Sequence, residues 1–396
     1  MGNTDNKRIN HFKYLLYLVS CAVNDVCADK YYDNIDFKYL LEISDETTLA
    51  SVIYNTLLTC KNNQEIDKEV LNEFKDIFNQ NVFREINQKY ELDKMINFCE
   101  KNKIKNIPLK GSVLKHDYPY TYLRVMGDVD LWVEEKGIKI IDEYLIKDGY
   151  ELIIAKSQNI EYIKKPTMIF EVHMLLSELV DREIFNYLNY EAVENVIKDD
   201  NYDYSYKLND VDFYLQILEH SLKHYEYSGI SIKMVLDFYI LKKKYYDKMS
   251  KNQKVQLNNL IEKFGFTELN EKIVNLALDW FSLDGVGLID DEFSNYIIGN
   301  RTYGTSENLV LNENKGDCST VKHTLRLLFP SPIKLKKLYY NLLKKPYLLP
   351  FYYIVWWLEK INIYFIKRDK KVTQKVKFID NVNKKIKENN NKWKNY

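Results

Sequence analysis

The chain has 396 residues, 46% hydrophobic and 29% charged, a balance that supplies substantial cores and excludes both a disordered chain and a long coiled coil. With 57 Lys and Arg against 57 Asp and Glu the formal net charge is zero, so the chain taken whole is not a general binder of nucleic acid or anionic lipid. Five cysteines without Cys-x-x-Cys or Cys/His spacing exclude a disulfide framework and a structural zinc site, and they suit a reducing cytoplasm.

From about residue 8 to 103, apolar residues recur at helical spacing, as in Phe37, Leu40, Leu41 and Ile43, then Leu49, Val52, Ile53, Leu57 and Leu58. The apolar run from Tyr14 is interrupted at Asn24 and Asp25, so it reads as a helix of the folded protein rather than a leader. At 104 the period changes. Ile107-Pro108-Leu109 is short and extended, Met126 to Val133 alternates, Lys136 to Lys147 is helical, and Glu151 to Ala155 is β-rich. Ile160 to Lys164 and Met168 to Met174 flank Lys165-Pro166-Thr167 and predict a hairpin, with Glu171 and His173 on one face of its second strand.

Beyond about 180 the helical pattern returns. Asn209, with Asp212 three residues on, marks a helix start; Gly229 ends that helix, and a second follows from about Ser231 to Tyr245. A Gly/Asn/Ser-rich stretch from about 299, including Lys315 to Ser319, reads as a loop.

The segment that carries chemistry is Pro108 to Val133, PLKGSVLKHDYPYTYLRVMGDVDLWV. Gly111-Ser112 follows a short strand and opens a helix, where a backbone without Cβ can approach phosphate oxygens and the helix start favours negative charge. Further on, Asp128-Val129-Asp130 lies within an apolar strand, and alternation turns both carboxylates to one face with Val129 and Leu131 on the other. Adjacent carboxylates repel unless a cation offsets them. Magnesium, which binds one or two carboxylates together with substrate phosphates, is the natural counter-charge. A phosphate-cradling turn beside an Asp-x-Asp strand is the requirement of metal-assisted phosphoryl or nucleotidyl transfer.

LKGSVL, Tyr118-Pro119 and RVMGDVDLWV together resemble the bacterial family of uncharacterised nucleotidyltransferases, within the DNA polymerase beta-like superfamily. Weaker likenesses extend over residues 35 to 355: Phe170-Glu171-Val172-His173, the helix with His220 and His224, Asp237, and Leu328 to Pro332. The resemblance implies that Asp128 and Asp130 are metal ligands shared between two magnesium ions, with manganese as a substitute. Glu171 would be the third carboxylate, and would assist deprotonation of the acceptor. Gly111 and Ser112 would hold the β- and γ-phosphates of an NTP, with Lys110 and Arg124 offsetting its charge.

Other residues carry weaker expectations. Glu178 and Asp181 are alternative acids, expected to be exposed, and His173 is expected to hydrogen-bond in the core. His220 and His224 share a helix face at i, i+4, but Ser221 stands where a zincin has Glu, leaving a structural or a substrate-contacting role. Lys233 and Asp237 either contact nucleotide or pair with each other. Lys115-His116-Asp117 reads as a solvated turn. There is no GxSxG elbow and no Walker loop, and Gly285-Val286-Gly287 reads as a turn between helices.

The neutral total conceals an asymmetry: residues 334–396 hold 17 Lys and Arg against 4 Asp and Glu, leaving 40 against 53 in the rest. Within this tail, Tyr347 to Leu358 carries no charge. It is too short to span a bilayer and is expected to pack on the catalytic core; the alternatives are a peripheral membrane contact or guidance of an RNA.

The expected fold is α+β: a polymerase-beta-like core at 96–180 between helical regions at 1–95 and 181–333, with a basic tail at 334–396. The expected activity is magnesium-dependent transfer of a nucleoside monophosphate from an NTP to an unidentified acceptor. The alternatives are a non-catalytic nucleotide-binding or regulatory protein, or a toxin-like enzyme that modifies tRNA.

Overall fold

The computed structural model describes residues 3–155, 159–166, 168–180, 182–227, 229–285, 292–299, 329–339, 342 and 345–366. The loop expected around Lys315 to Ser319, Val286-Gly287, Asp181, Leu328 and the tail past Ile366 lie outside them.

Four helices open the chain: α1 (Asn3–Asn24), α2 (Phe37–Glu46), α3 (Ala50–Thr59) and α4 (Lys68–Asn102). Asp36 starts α2 by accepting from the Tyr39 amide at 3.1 Å, and Asp67 caps α4 through the Glu69 amide at 2.8 Å. At 35 residues, α4 runs unbroken through position 95 and serves two cores. Phe74 enters the helical core, whereas Leu92, Met95, Ile96 and Cys99 turn under the sheet. Lys103, in the left-handed conformation at φ 56, ends it.

The five-stranded sheet is ordered β1-β2-β5-β4-β3, with β1 at Asn106–Pro108, β2 at Val129–Val133, β3 at Glu151–Ala155, β4 at Asn159–Lys164 and β5 at Met168–His173. The short helix α5 (Gly111–Leu114) follows β1, and α6 (Ile138–Lys147) joins β2 to β3. The expected hairpin is present as antiparallel β4 and β5, and β5 then lies parallel to β2 with Asp130 opposite Glu171 and Trp132 opposite His173. Alternation sorts the two central strands. Val129, Leu131, Val133, Phe170 and Val172 face the core beneath, and Asp130, Glu171 and His173 face the other way.

After α7 (Glu183–Asn186), a two-stranded ribbon, β6 (Ile197–Lys198) with β7 (Tyr206–Lys207), interrupts the helices; the sequence reading did not anticipate it. Helix α8 (Asp210–Tyr227) begins as expected, with Asn209 Oδ1 accepting from the Asp212 amide at 3.1 Å. Then come α9 (Ile232–Leu241), α10 (Lys251–Lys263), α11 (Thr267–Phe281) and α12 (Glu292–Gly299). These helices share one apolar core with α1–α3. Ser20 and Asn24 of α1 donate to the Phe281 carbonyl at 2.9 and 2.8 Å, tying α1 to the end of α11.

The C-terminal pair, Pro332–Leu338 and Leu349–Ile366, corrects one expectation. Among the described residues, Leu335 and Trp356 of the pair and Leu342 between them form a small buried cluster separate from that of the catalytic core. Tyr347, Phe351, Ile354 and Leu358 are exposed instead. No helix among the described residues is long and apolar enough to cross a membrane. Cys21, Cys27, Cys60 and Cys99 are free thiols.

Candidate active site

A cavity of about 240 Å³ lies between the polar face of β2 and β5 and the helices α8 and α9, and Asp128, Asp130, Glu171, Lys110, Gly111, Arg124, His220, His224, Lys233 and Asp237 all line it. Ser112 is not among the lining residues, although its hydroxyl is buried without a hydrogen-bond partner. Two polar side chains on α4 hold the segment leading to Asp128. Asn81 donates to the Tyr122 carbonyl at 2.8 Å and Gln88 to the Met126 carbonyl at 3.3 Å.

Asp130 is the electrostatic centre. Lys110 Nζ and His173 Nε2 both meet its Oδ1 at 2.7 Å. Burial alone would raise its pKa, but Lys110 and then His173 hold it well below the ordinary carboxylate range. Burial and the Asp130 charge push Asp128 the other way, up to about 6. His173 resists its own burial and the Lys110 charge because Glu171 and Asp130 favour the imidazolium, bringing it to about 9. His173 is buried and hydrogen-bonded as expected, and its partner is Asp130; its period-2 position beside Glu171 was the signal that pointed to it.

Lys110 occupies φ 47, ψ −120, and the Ser112 amide donates to the Leu109 carbonyl at 3.0 Å. This is the tight-turn geometry that usually takes glycine, and a side chain there costs on the order of 1–3 kcal/mol. The buried contact with Asp130 holds it. Gly111 has a reason of its own to lack a side chain, since a Cβ would stand 2.6 Å from the Arg124 guanidinium.

Arg124 forms a bidentate pair with Asp237 of α9 at 2.9 and 2.7 Å, and the Tyr118 hydroxyl donates to the same carboxylate at 2.7 Å. Asp237 is thus engaged with Arg124 and not with Lys233. A buried clamp joins the sheet segment to the helical wall.

On that wall the rings of His220 and His224 meet edge-on at 4.6 Å between centroids. Burial lowers both imidazoles, His224 to about 4, so both are neutral at pH 7. Two further expectations are corrected. Lys115 is buried and paired with Glu85 at 3.1 Å, because the turn it belongs to packs under α4 rather than into solvent. Glu178 is half-buried and paired with Lys223 at 2.8 Å.

The Glu178 pair makes a prediction. Burial opposes its charge, but Lys223 brings its pKa down to about 2. A carboxylate depressed in the folded state contributes stability above its ordinary pKa near 4.5 and loses it as pH falls through the folded value. Between pH 6 and pH 3 the wild type is expected to lose stability on the order of 2 kcal/mol through this group. Urea midpoints of wild type and Glu178→Gln at both pH values measure it, the variant showing a smaller drop.

The donor atoms of Asp130, Glu171 and His173 lie within 4.8 Å of one another, close enough for one ion to reach all three. Two hard carboxylate oxygens, with Asp128 beside them raised by a neighbouring charge, fit a hard divalent cation.

No curated protein and no solved structure matches the chain. The family model described as "Uncharacterised nucleotidyltransferase" matches residues 33–282, a span that runs from α2 to the end of α11 and takes in every residue lining the cavity. The chain belongs to this nucleotidyltransferase family and is a transferase of nucleotidyl groups.

Proposed function

We propose that the protein is a magnesium-dependent enzyme that moves a nucleoside monophosphate from an NTP to an acceptor hydroxyl or phosphate and releases pyrophosphate. The observation that carries this reading is the convergence of Asp128, Asp130 and Glu171 on one cavity that also exposes Gly111. Asp128, Asp130 and Glu171 hold the metal, and the His173 imidazolium fixes the Asp130 carboxylate through its 2.7 Å hydrogen bond. When bound, magnesium offsets the charge of the triphosphate and polarises the phosphorus under attack. Lys110 and Arg124 add positive charge on the nucleotide side, and the Gly111-Ser112 turn receives the β- and γ-phosphates. Glu171 takes the proton of the acceptor oxygen as it attacks the α-phosphorus in line. His220, His224, Lys233 and Asp237 form the opposite wall, which orients the substrates.

Incubating the protein with each radiolabelled NTP, magnesium and a cell extract is expected to label one class of acceptor. Label incorporation that is absent with the wild type, or equal with Asp128→Ala, overturns the reading in favour of a non-catalytic nucleotide-binding protein. Label confined to tRNA selects the toxin-like form of the same chemistry.

A peripheral membrane contact from a cytoplasmic location is the second part of the proposal, and it rests on the C-terminal helix pair. Tyr347, Phe351, Ile354 and Leu358 recur every three or four residues and are exposed, forming one apolar stripe. Exposed Lys345 precedes it and exposed Lys334 lies on the first helix of the pair, in a tail with a large excess of basic residues. An apolar stripe beside lysines matches an anionic bilayer surface. Flotation with phosphatidylserine-containing liposomes is expected to carry the wild type but not Phe351→Glu/Ile354→Glu; co-migration with RNA and not with liposomes favours the RNA alternative.

A further inference from the structure

One corner of the cavity holds Ser231, which the transfer chemistry above does not use, beside Lys233, to which it gives only a general part in orienting the substrates. Helix α9 starts at Ile232 and is ten residues long, with Ser231 in the N-cap position at φ −98, ψ 160. A serine there ordinarily accepts from an amide of the first turn, yet the Ser231 side chain makes no capping bond. It is 2% exposed, lines the cavity, and its Oγ has no hydrogen-bond partner among the described residues. A buried hydroxyl normally has a partner. One that opens onto a cavity beside a helix start is placed to receive a ligand.

The cations around the cavity point the same way. Lys110 is paired with Asp130, Arg124 with Asp237 and Lys223 with Glu178. Lys233, in the first turn of α9 and also lining the cavity, forms neither an ion pair nor a hydrogen bond among the described residues. The charges of Asp237 and Asp128 act on it without direct pairing, and burial and Arg124 bring its ammonium down to about 8, leaving it largely protonated at neutral pH. Its neighbours His220 and His224 are neutral and supply no competing cation. A helix start with its dipole, a free hydroxyl and an uncommitted lysine is a site for a compact anion.

We propose that Ser231 Oγ, Lys233 Nζ and the first amides of α9 form a phosphoryl-binding position in addition to the Gly111-Ser112 turn. Its ligand is a phosphate group from one of two sources: the NTP triphosphate, whose terminal phosphate it would then share with the Gly111-Ser112 turn, or a phosphorylated acceptor. Assignment to a source rests on the transferase reading; the binding of phosphate does not.

The test uses the full-length, metal-free protein and calorimetric titration with inorganic tripolyphosphate and inorganic phosphate. Wild type is expected to bind tripolyphosphate. Ser231→Ala should weaken it about tenfold, Lys233→Met at least as much, and Lys233→Arg should retain most of the affinity. Because the Ser231 hydroxyl makes no bond in the protein, Ser231→Ala should keep the wild-type melting temperature without ligand, so that a loss of binding is not a loss of fold. Equal affinity in wild type, Ser231→Ala and Lys233→Met, or no binding by wild type, overturns the proposal.

A second titration, with inorganic phosphate added to protein saturated with an α,β-methylene NTP and magnesium, separates the sources. Phosphate uptake that persists and still depends on Ser231 assigns the position to the acceptor; its loss assigns it to the triphosphate. Failure of the transferase reading has a different signature: Ser231-dependent phosphate binding in a protein that transfers no label. Label transfer with phosphate binding indifferent to Ser231 and Lys233 overturns this position alone.

Discussion

Asp130→Asn is expected to lower nucleotidyl transfer by roughly three orders of magnitude, the loss typical of removing a group that holds charge at the reacting centre. Asp130 stands directly opposite Glu171 in the β2–β5 register and has donor atoms within 4.8 Å of Glu171 and His173. The amide keeps the shape and removes the charge. Two further readouts distinguish this from misfolding. On the proposed mechanism, the magnesium concentration for half-maximal transfer should rise, since one anionic donor would be gone. The Asp128 pKa should fall from about 6, because Asp130 is one of the two groups that raise it. The protein should also be less stable at neutral pH, as Lys110 and His173 lose the carboxylate they share. Transfer within threefold of wild type by a folded Asp130→Asn would remove this residue from the mechanism.

Arg124→Met and Asp237→Leu are each expected to destabilise the fold by about 3–5 kcal/mol, because each leaves the other charge buried and unpaired. The pair is almost fully enclosed, with side chains 11% and 5% exposed. The double substitution should cost much less than the sum of the two, since both desolvation penalties vanish together. Urea unfolding of the four chains gives the coupling energy directly, and additive effects would show that the clamp contributes no pairwise energy. All three variants should lose transfer, because the clamp holds the strand segment bearing Asp128 against α9, the helix that closes the cavity. The Tyr118 hydroxyl, also on Asp237, makes Tyr118→Phe a milder version of the same lesion, with an expected cost of about 1 kcal/mol.

The residues Lys110, Gly111, Arg124, Asp128 and Asp130 all lie in one segment that the sequence marks as chemical, and the fold brings them to one cavity. What they do to each other is only partly legible there. A strand's alternation is a local property, so the shared face of Asp128 and Asp130, and that of Glu171 and His173, follow from a period of two. The partnership of Arg124 with Asp237 spans 113 residues, and nothing in the local pattern of either announces it. The same is true of the contact between Lys110 and Asp130, which the spacing of the two in the chain does not announce. Lys115 and Glu178 mislead for the converse reason, since a charged residue in a turn reads as solvated until a helix such as α4 or α8 supplies a counter-charge over it.

By itself the sequence determined the alternation of helical and extended segments, the Asp-x-Asp strand, the Gly-Ser turn and the family resemblance, all of which depend on residues close in the chain and on the faces they share. Only the tertiary structure decided that β2 and β5 lie parallel with Asp130 beside Glu171, that His173 joins them, that α4 serves two cores, that Ser231 opens unpartnered onto the cavity, and that the aromatic C-terminal helix clusters apart from the catalytic core. The reason is physical. Local periodicity says which side of an element is apolar, but the state of a buried charge or hydroxyl is set by whatever distant surface packs against it, and at this site α8 and α9 supply that surface.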